Sequence, residues 1–330
     1  MPYGQFFAVG EETTWATPVT RNKFAKVMAG SEINPGADRS RSATLSANVG
    51  ADPERSFDKA QWGEGKIIIP MSYDDGAGFK MLKHLLGVVS STTGAGPYVH
   101  VLKRATGPPY AGGAVPTATS LSCELNYELP DAGPLQARLL AGARVVSGRF
   151  AWNAEEEIVV ECDVLGKEQT QVIKTATPTY PDYDTYGATF GQAALSIDGT
   201  AYGAVCKGID FSINNGTERR IRLGSPFTQA PLRRGVAQLS GTIRLDWEAS
   251  PSAKALWQKF KDNTAAAIVV TLTGPGGYSI VTSLGKVFFT ASTLSPEEGQ
   301  LQSVEFPFEA YDVATDTAVK MTITTPNATI

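Results

Sequence analysis

One stretch of this chain occurs twice, and the repeat constrains the fold more than any other feature. From Gly65 the sequence runs Gly-Lys-Ile-Ile-Ile-Pro-Met-Ser-Tyr-Asp-Asp-Gly-Ala-Gly, followed by Phe79-Lys-Met-Leu-Lys-His-Leu-Leu-Gly87. Ile67, Ile69, Met71 and Tyr73 alternate at the strand period of two. Asp74 to Gly78 reads as a turn, and Phe79, Leu82 and Leu86 as one face of a short helix that Gly87 stops. The second copy starts at Gly241. Ile243, Leu245 and Trp247 alternate with polar residues, and Ser250-Pro251 is an N-cap followed by a first-turn proline. Ala253, Leu256, Trp257 and Phe260 then share a helical face.

The flanks repeat as well. Ile33-Asn34-Pro35-Gly36 is echoed 180 positions later by Ile213-Asn214-Asn215-Gly216, and Gly94–Tyr98 by Gly274–Tyr278 at the same spacing. Gly65 and Gly241 stand 176 apart, and Leu82 and Leu256 stand 174 apart, a drift that small loop indels produce. Near the end, Ile158 aligns on Val304 at a spacing of 146, so the first half carries about 34 extra residues, placed around 103–130. These echoes predict two related domains, 1–175 and 176–330, with the repeated core Ile67, Ile69, Leu82, Ile243, Leu245, Leu256 and Phe260. Two copies are too few for a solenoid.

Composition narrows the function. Of 330 residues, 42% are hydrophobic, enough for two cores, and 33 Gly with 20 Pro favour short strands and frequent turns. A net charge of −4 argues against electrostatic binding of nucleic acid. No apolar run approaches the length of a membrane-spanning helix, and the start lacks a signal-peptide pattern, which reads as synthesis in the cytoplasm. Cys123, Cys162 and Cys206 are widely spaced, each in a strand-like run, and read as buried free thiols.

Along the chain, residues 1–20 read as an extended arm and Phe24–Ile33 as a strand. Residues 34–62 and 214–240 are long, polar and Arg-containing, without periodicity, and read as loops. Leu121 to Leu129 is the cleanest alternation. Its apolar residues face one way and Ser122, Glu124, Asn126 and Glu128 the other, predicting one packed and one wet, acidic face. Leu139–Trp152 reads as two short strands, Ile158–Leu165 as another, and 168–187 as the junction. The second domain repeats the scheme from Ala193 and closes with a strand or arm over 312–330.

Catalytic chemistry has little to work with. His84 and His100 stand apart, and neither accompanies a nucleophile elbow. Cysteine and histidine do not cluster as zinc requires. Gly63–Ile67 lacks the first Gly and the Ser/Thr of a phosphate loop and precedes a strand. Asp182–Gly187 imitates half a calcium loop, but its twelfth position is Ala193. Glu155-Glu156-Glu157 reads as a solvated turn. The expectation is a protein without enzymatic activity, cofactor or metal.

The chain resembles the major tail tube proteins of long-tailed bacteriophages. The resemblance is carried by Gly10-Glu-Glu-Thr-Thr-Trp-Ala-Thr-Pro-Val19, by Ile209-Asp-Phe-Ser-Ile-Asn-Asn215, by the Gly241-Thr-Ile243 strand after a long loop, and by the short helix. It implies a mainly β fold: two tandem β-sandwich or half-barrel domains, each with one short helix, whose inner sheets join those of neighbours into a closed tube. It further implies trimeric rings of pseudo-sixfold symmetry for a fused form, hexamers for single-domain relatives, and stacking of rings into a conduit for DNA in the virion tail. A tape measure protein and terminator and tip proteins are the implied partners, and related contractile and secretion tubes share the fold. Two further expectations concern sites. The arginines of the long loops, Arg39, Arg41, Arg55, Arg219, Arg220, Arg222, Arg233 and Arg234, are candidates for stacking ring on ring by pairing with carboxylates. Glu124 and Glu128, or equivalent polar strand faces, are candidates to line the lumen, where like charge keeps the polyanion from sticking. The rival readings are a carbohydrate-binding β-sandwich module or jelly-roll hydrolase, and another virion or capsid-decoration protein. The tryptophans are dispersed rather than gathered into a sugar platform.

Overall fold

The computed structural model describes residues 5–42, 55–92, 96–104, 120–127, 136–154, 156–175, 177–233, 237–247, 251–295, 303–312, 318–328 and 330. The chain is mainly β. The first half comprises β1 (Phe6–Glu12), β2 (Lys23–Lys26), β3 (Glu32–Ser42), β4 (Arg55–Pro70), helix α1 (Gly76–Leu86), β5 (Gly87–Ser91), β6 (Tyr98–Arg104), β7 (Ser120–Asn126), β8 (Ala137–Asn153), β9 (Val159–Gly166) and β10 (Glu168–Val172). The second half comprises a one-turn helix α2 (Tyr183–Tyr186), β11 (Ala193–Ile197), β12 (Thr200–Ala201), β13 (Cys206–Asn214), β14 (Thr217–Arg220), β15 (Gln229–Arg233), β16 (Gln238–Asp246), helix α3 (Pro251–Lys261), β17 (Ala266–Thr273), β18 (Ser279–Phe289), β19 (Thr293–Ser295), β20 (Ser303–Tyr311) and β21 (Val319–Thr325).

The same pairing order recurs in both halves. In the first, β3 pairs β4, β4 pairs β9, β9 pairs β8, and β8 also takes β7 and β10 along its first part. In the second, β13, β16, β20 and β18 with β19 follow in that order, and β18 takes β17 and β21. Register tests the match. From Ile33 the pairing leads to Gly65 and then Val164; from Ile213 it leads to Leu239 and then Ala310. Val164 and Ala310 stand 146 positions apart, the spacing of Ile158 and Val304, while Gly65 and Leu239 stand 174 apart, the spacing of Leu82 and Leu256. The counterpart of Gly65 is therefore Leu239 rather than Gly241, a slip of two that leaves every side chain on its own face.

The halves join edge to edge. Residues 147–153 of β8 pair with 214–208 of β13, and Phe150 stacks on its partner Phe211 with ring centroids 4.5 Å apart. One run of sheet thus follows the order β3-β4-β9-β8-β13-β16-β20, ending on β18 and β19. Its core face carries Ile33, Ile67, Ile69, Val160, Phe211, Ile213, Ile243, Leu245 and Phe306, all buried. Leu82 and Leu256 are fully buried beneath it, and Phe260 is partly buried against the same cluster.

Several expectations change. Residues 34–62 are no loop: β3 and β4 form a long antiparallel hairpin, with 43–54 outside the described residues. Residues 214–240 contain a second, shorter hairpin, β14–β15. Both ladders are held by backbone hydrogen bonds, and the sequence of neither shows an apolar alternation that would announce it. The stretch expected as an arm over 1–20 contains an integral strand, since β1 pairs β2 and β7 and buries Phe6, Phe7 and Val9. The strand expected over 24–33 is broken near Gly30, whose φ of 90° only glycine adopts readily. The two strands expected over 139–152 are one, β8, which bends at Gly142 with φ 68°. Of the two readings of the terminal stretch, strand or arm, the structure has the strand: β21 lies between β18 and β6. The hairpin β5–β6 has no counterpart after α3, so the extra residues of the first half lie across 87–119 rather than 103–130. It follows that the turn at 94–98 and the turn at 274–278 are not equivalent; the latter corresponds to the β7–β8 connection.

Candidate functional site

The strands of the joined run have two faces, and the one turned from the core is polar. The register places Glu32 and Asn34 of β3 beside Lys66 and Glu64 of β4. Next come Glu161 and Asp163 of β9, then Ser147 and Arg149 of β8. Asn214, Ser212 and Asp210 of β13, Ser240, Thr242 and Arg244 of β16, and Glu305 and Glu309 of β20 continue the face. Lys286 of β18 closes it opposite Tyr311. Carboxylates outnumber cations on this face, and some are neutralised in place. Lys66 Nζ lies 2.8 Å from Glu161, and Arg244 spans Asp210 at 2.8 Å and Glu305 at 3.2 Å. Ser147 donates to Asp163. Glu32, Glu64, Glu305 and Glu309 are exposed.

The run has open ends. Among the described residues β3 pairs only β4, and β19 pairs only β20. Inside the chain the equivalent edges, β13 and the second part of β8, pair with each other. An unpaired edge presents a row of free backbone donors and acceptors.

The acidic strand face expected at 121–129 is not wet. Every residue of β7 is buried, and Glu124 is fully so. Its carboxylate accepts from Arg21 Nε at 2.6 Å, from Thr175 N at 2.9 Å and from Thr175 Oγ1 at 3.1 Å. Alternation marked the polar side correctly, but β1 and the segments that follow it and β10 cover it. Glu12 is likewise buried, accepting from Ser120 Oγ, Ser122 Oγ and the Gly142 N–H. Glu124 therefore does not face a lumen; Glu128 lies outside the described residues.

The arginine candidates separate. Arg39 of β3 is exposed. Arg219 of β14 lies over the Trp62 ring of the same chain, 3.7 Å from its centroid. The β14–β15 hairpin is docked there by Gln61, whose N–H donates to Pro226 O at 2.7 Å while its carbonyl accepts from Thr228 N at 3.0 Å. Beyond that anchor the hairpin presents Arg220, Ile221, Arg222 and Leu223; Ile221 and Leu223 are among the most exposed large apolar side chains described. Arg41, Arg55 and Arg233 belong to β3, β4 and β15, and Arg234 lies outside the described residues.

The histidines serve the fold. His100 is buried between Ser91 Oγ at 2.7 Å and Asn327 O at 2.8 Å. His84 on α1 meets Glu11 of β1 at 3.4 Å, beside Lys83 at 2.8 Å. Burial works against the Glu11 charge, but His84, Lys83 and Lys80 together hold its carboxyl down to about 2. Burial pushes the His84 imidazole below its usual range. Cys123, Cys162 and Cys206 are free thiols, the first two buried and the third half-buried. Burial pushes all three above the usual thiol range. Among the described residues no group of His, Cys, Asp and Glu is arranged to hold a metal ion, and no helix is long and apolar enough to cross a membrane.

A sheet with one acidic face and two open ends is the arrangement of a building block. No curated protein sequence matches the chain. One family does, described as phage tail tube protein, and its match spans residues 4–310. The chain belongs to the phage tail tube protein family and is a structural protein of the virion tail.

Proposed function

We propose that this chain assembles with copies of itself into closed rings that stack into a tube for DNA delivery. The halves 1–175 and 176–330 act as two tandem tube domains, so a ring is trimeric with pseudo-sixfold symmetry. One observation carries the reading: β8 pairs β13 between the halves, while the equivalent edges at the ends of the same run, β19 and β3, pair with nothing further among the described residues. The junction inside one chain is the template for the junction between chains. Pairing β18–β19 of one copy with β3 of the next closes the sheet and removes its edges.

Closure directs the polar face inward. A lumen lined by Glu32, Glu64, Asp163, Glu305 and Glu309 repels a polyanion weakly and evenly, and the interspersed Lys66 and Arg244 keep that field moderate. The β3–β4 and β14–β15 hairpins carry exposed Arg39 and Arg222 and half-buried Arg220, and suit contacts from ring to ring. A tape measure protein within the tube, and terminator and tip proteins at its ends, are the expected partners. No catalysis is expected.

Concentrated purified protein imaged by negative stain and sized by sedimentation tests this reading. Rings or rods are expected. Compact monomers at every concentration and salt contradict it.

A further inference from the structure

The two helices are counterparts, yet among the described residues only the first is covered. Tyr73, which leads into α1, is fully buried. Over its ring lies Gly274 of the β17–β18 turn, where a Cβ would fall 2.4 Å from the ring. Beside it Tyr278 meets Tyr186 edge-on at 5.7 Å. The C-terminal residues complete the cover: Asn327 Nδ2 donates to Asp74 O at 3.2 Å, and Ile330 O accepts from Lys83 Nζ at 3.1 Å. These covering groups come from the second half and the segment leading to it.

The register carries Tyr73 onto Trp247, Lys80 onto Lys254, Lys83 onto Trp257, His84 onto Gln258 and Ile158 onto Val304. Around those counterparts the surface is open. Trp247, Lys254, Trp257, Gln258, Ser292 and Val304 line a hollow of about 520 Å³, and Trp257 remains 42% exposed. An exposed tryptophan beside a second one in a concave surface is the composition of a binding hot spot.

We propose that this hollow receives the first half of a second copy of the chain, through its β7–β8 connection at residues 127–136. That connection is the counterpart of the β17–β18 turn that lies on Tyr73. Its sequence, Tyr-Glu-Leu-Pro-Asp-Ala-Gly-Pro-Leu-Gln, offers Leu129, Pro130, Pro134 and Leu135 to the two indole rings, and Glu128 and Asp131 to Lys254. The inference rests on the self-assembly reading and names the contact that seals each chain-to-chain junction outside the sheet.

A photo-crosslinking residue, p-benzoylphenylalanine, placed at Trp257 in the full chain tests it. The variant is mixed with an equal amount of nitrogen-15-labelled wild type, assembled, irradiated and digested. The expected product is a crosslinked peptide containing residues 127–136 of the opposite isotope. Assembled rings or rods whose crosslinks fall elsewhere, or only within one copy, overturn the inference and leave the ring reading standing. Wild-type protein that forms neither rings nor rods overturns both. In parallel, Trp257→Ala is expected to raise the concentration for half-assembly at least about tenfold, with Trp257→Phe restoring most of it. Assembly of Trp257→Ala at the wild-type concentration also contradicts the proposal.

Discussion

Helices α1 and α3 have the same length and follow equivalent strands, yet their surroundings differ. Almost all of α1 is buried, including Lys80. It is capped at one end by Asp75, which accepts from Ala77 N and Gly78 N, and tied at the other by Asn215, whose Nδ2 donates to Leu85 O at 2.7 Å. Helix α3 buries Leu256 but leaves Lys254, Ala255, Trp257 and Gln258 exposed. Similar sequence placed in similar registers has produced one finished core and one unfinished surface. The first half finds its finishing contacts in the second half of its own chain; under the proposed contact the second half finds them in the next copy.

The sharpest way to break the comparison is to empty both cores. Leu82→Ala removes a side chain from a site enclosed on all sides and is expected to cost about 4 kcal/mol. Leu256→Ala removes its counterpart beside an open surface that can relax, and is expected to cost about 2–3 kcal/mol. Chemical denaturation of the unassembled chain reads both. Equal losses would show that the two helices are equally well packed.

Next comes the stitch between halves. Asn215→Ala leaves the Leu85 carbonyl short of a buried donor, with an expected loss of about 1–3 kcal/mol. A neutral result would mean that the second half does not support α1.

The starts of the two helices give a pH-dependent contrast. Burial pushes the Asp75 carboxyl up to about 7, against the pull of the Gly78 and Ala77 N–H groups. A raised carboxyl contributes stability that is fully present below its unfolded value of 3.8 and is lost as pH rises through 7. Asp75→Asn keeps an acceptor and removes the titration. Wild type is therefore expected to lose up to about 4 kcal/mol relative to Asp75→Asn between about pH 4 and about pH 8. Ser250, the residue preceding α3, has no group that titrates there, and Ser250→Ala is expected to leave the pH profile unchanged. Parallel wild-type and Asp75→Asn profiles would contradict this account.

The smallest effect falls on the exposed face. Trp257→Ala is expected to change the unfolding free energy of the unassembled chain by no more than about 0.5 kcal/mol. A larger loss would mean that Trp257 already belongs to the core of its own chain.

Much of this contrast was legible in the sequence, and the rest was hidden for physical reasons. Ile33 with Ile213, Leu82 with Leu256 and Ile158 with Val304 are equivalent positions that alternation and spacing identify. Alternation repeats every two residues, so it could not separate Gly241 from Leu239 as the counterpart of Gly65. Turns select Gly and Pro for their backbone geometry, so the sequence at 94–98 imitates 274–278 without equivalence. In sequence the β3–β4 hairpin reads as a loop because its ladder is built from backbone groups. Glu124 reads as wet because alternation separates two faces without saying what covers the second. The acidic face was present as Glu161, Asp163, Asp210, Glu305 and Glu309 on separate strands, and only the pairing register gathers them.

A helical reconstruction of the assembled protein by electron cryomicroscopy tests the central claim most directly. The account expects three copies per ring, β18–β19 of each paired with β3 of the next, and Glu64, Asp163 and Glu305 facing the lumen. A ring of six copies, or a sheet whose acidic face points outward, would contradict it.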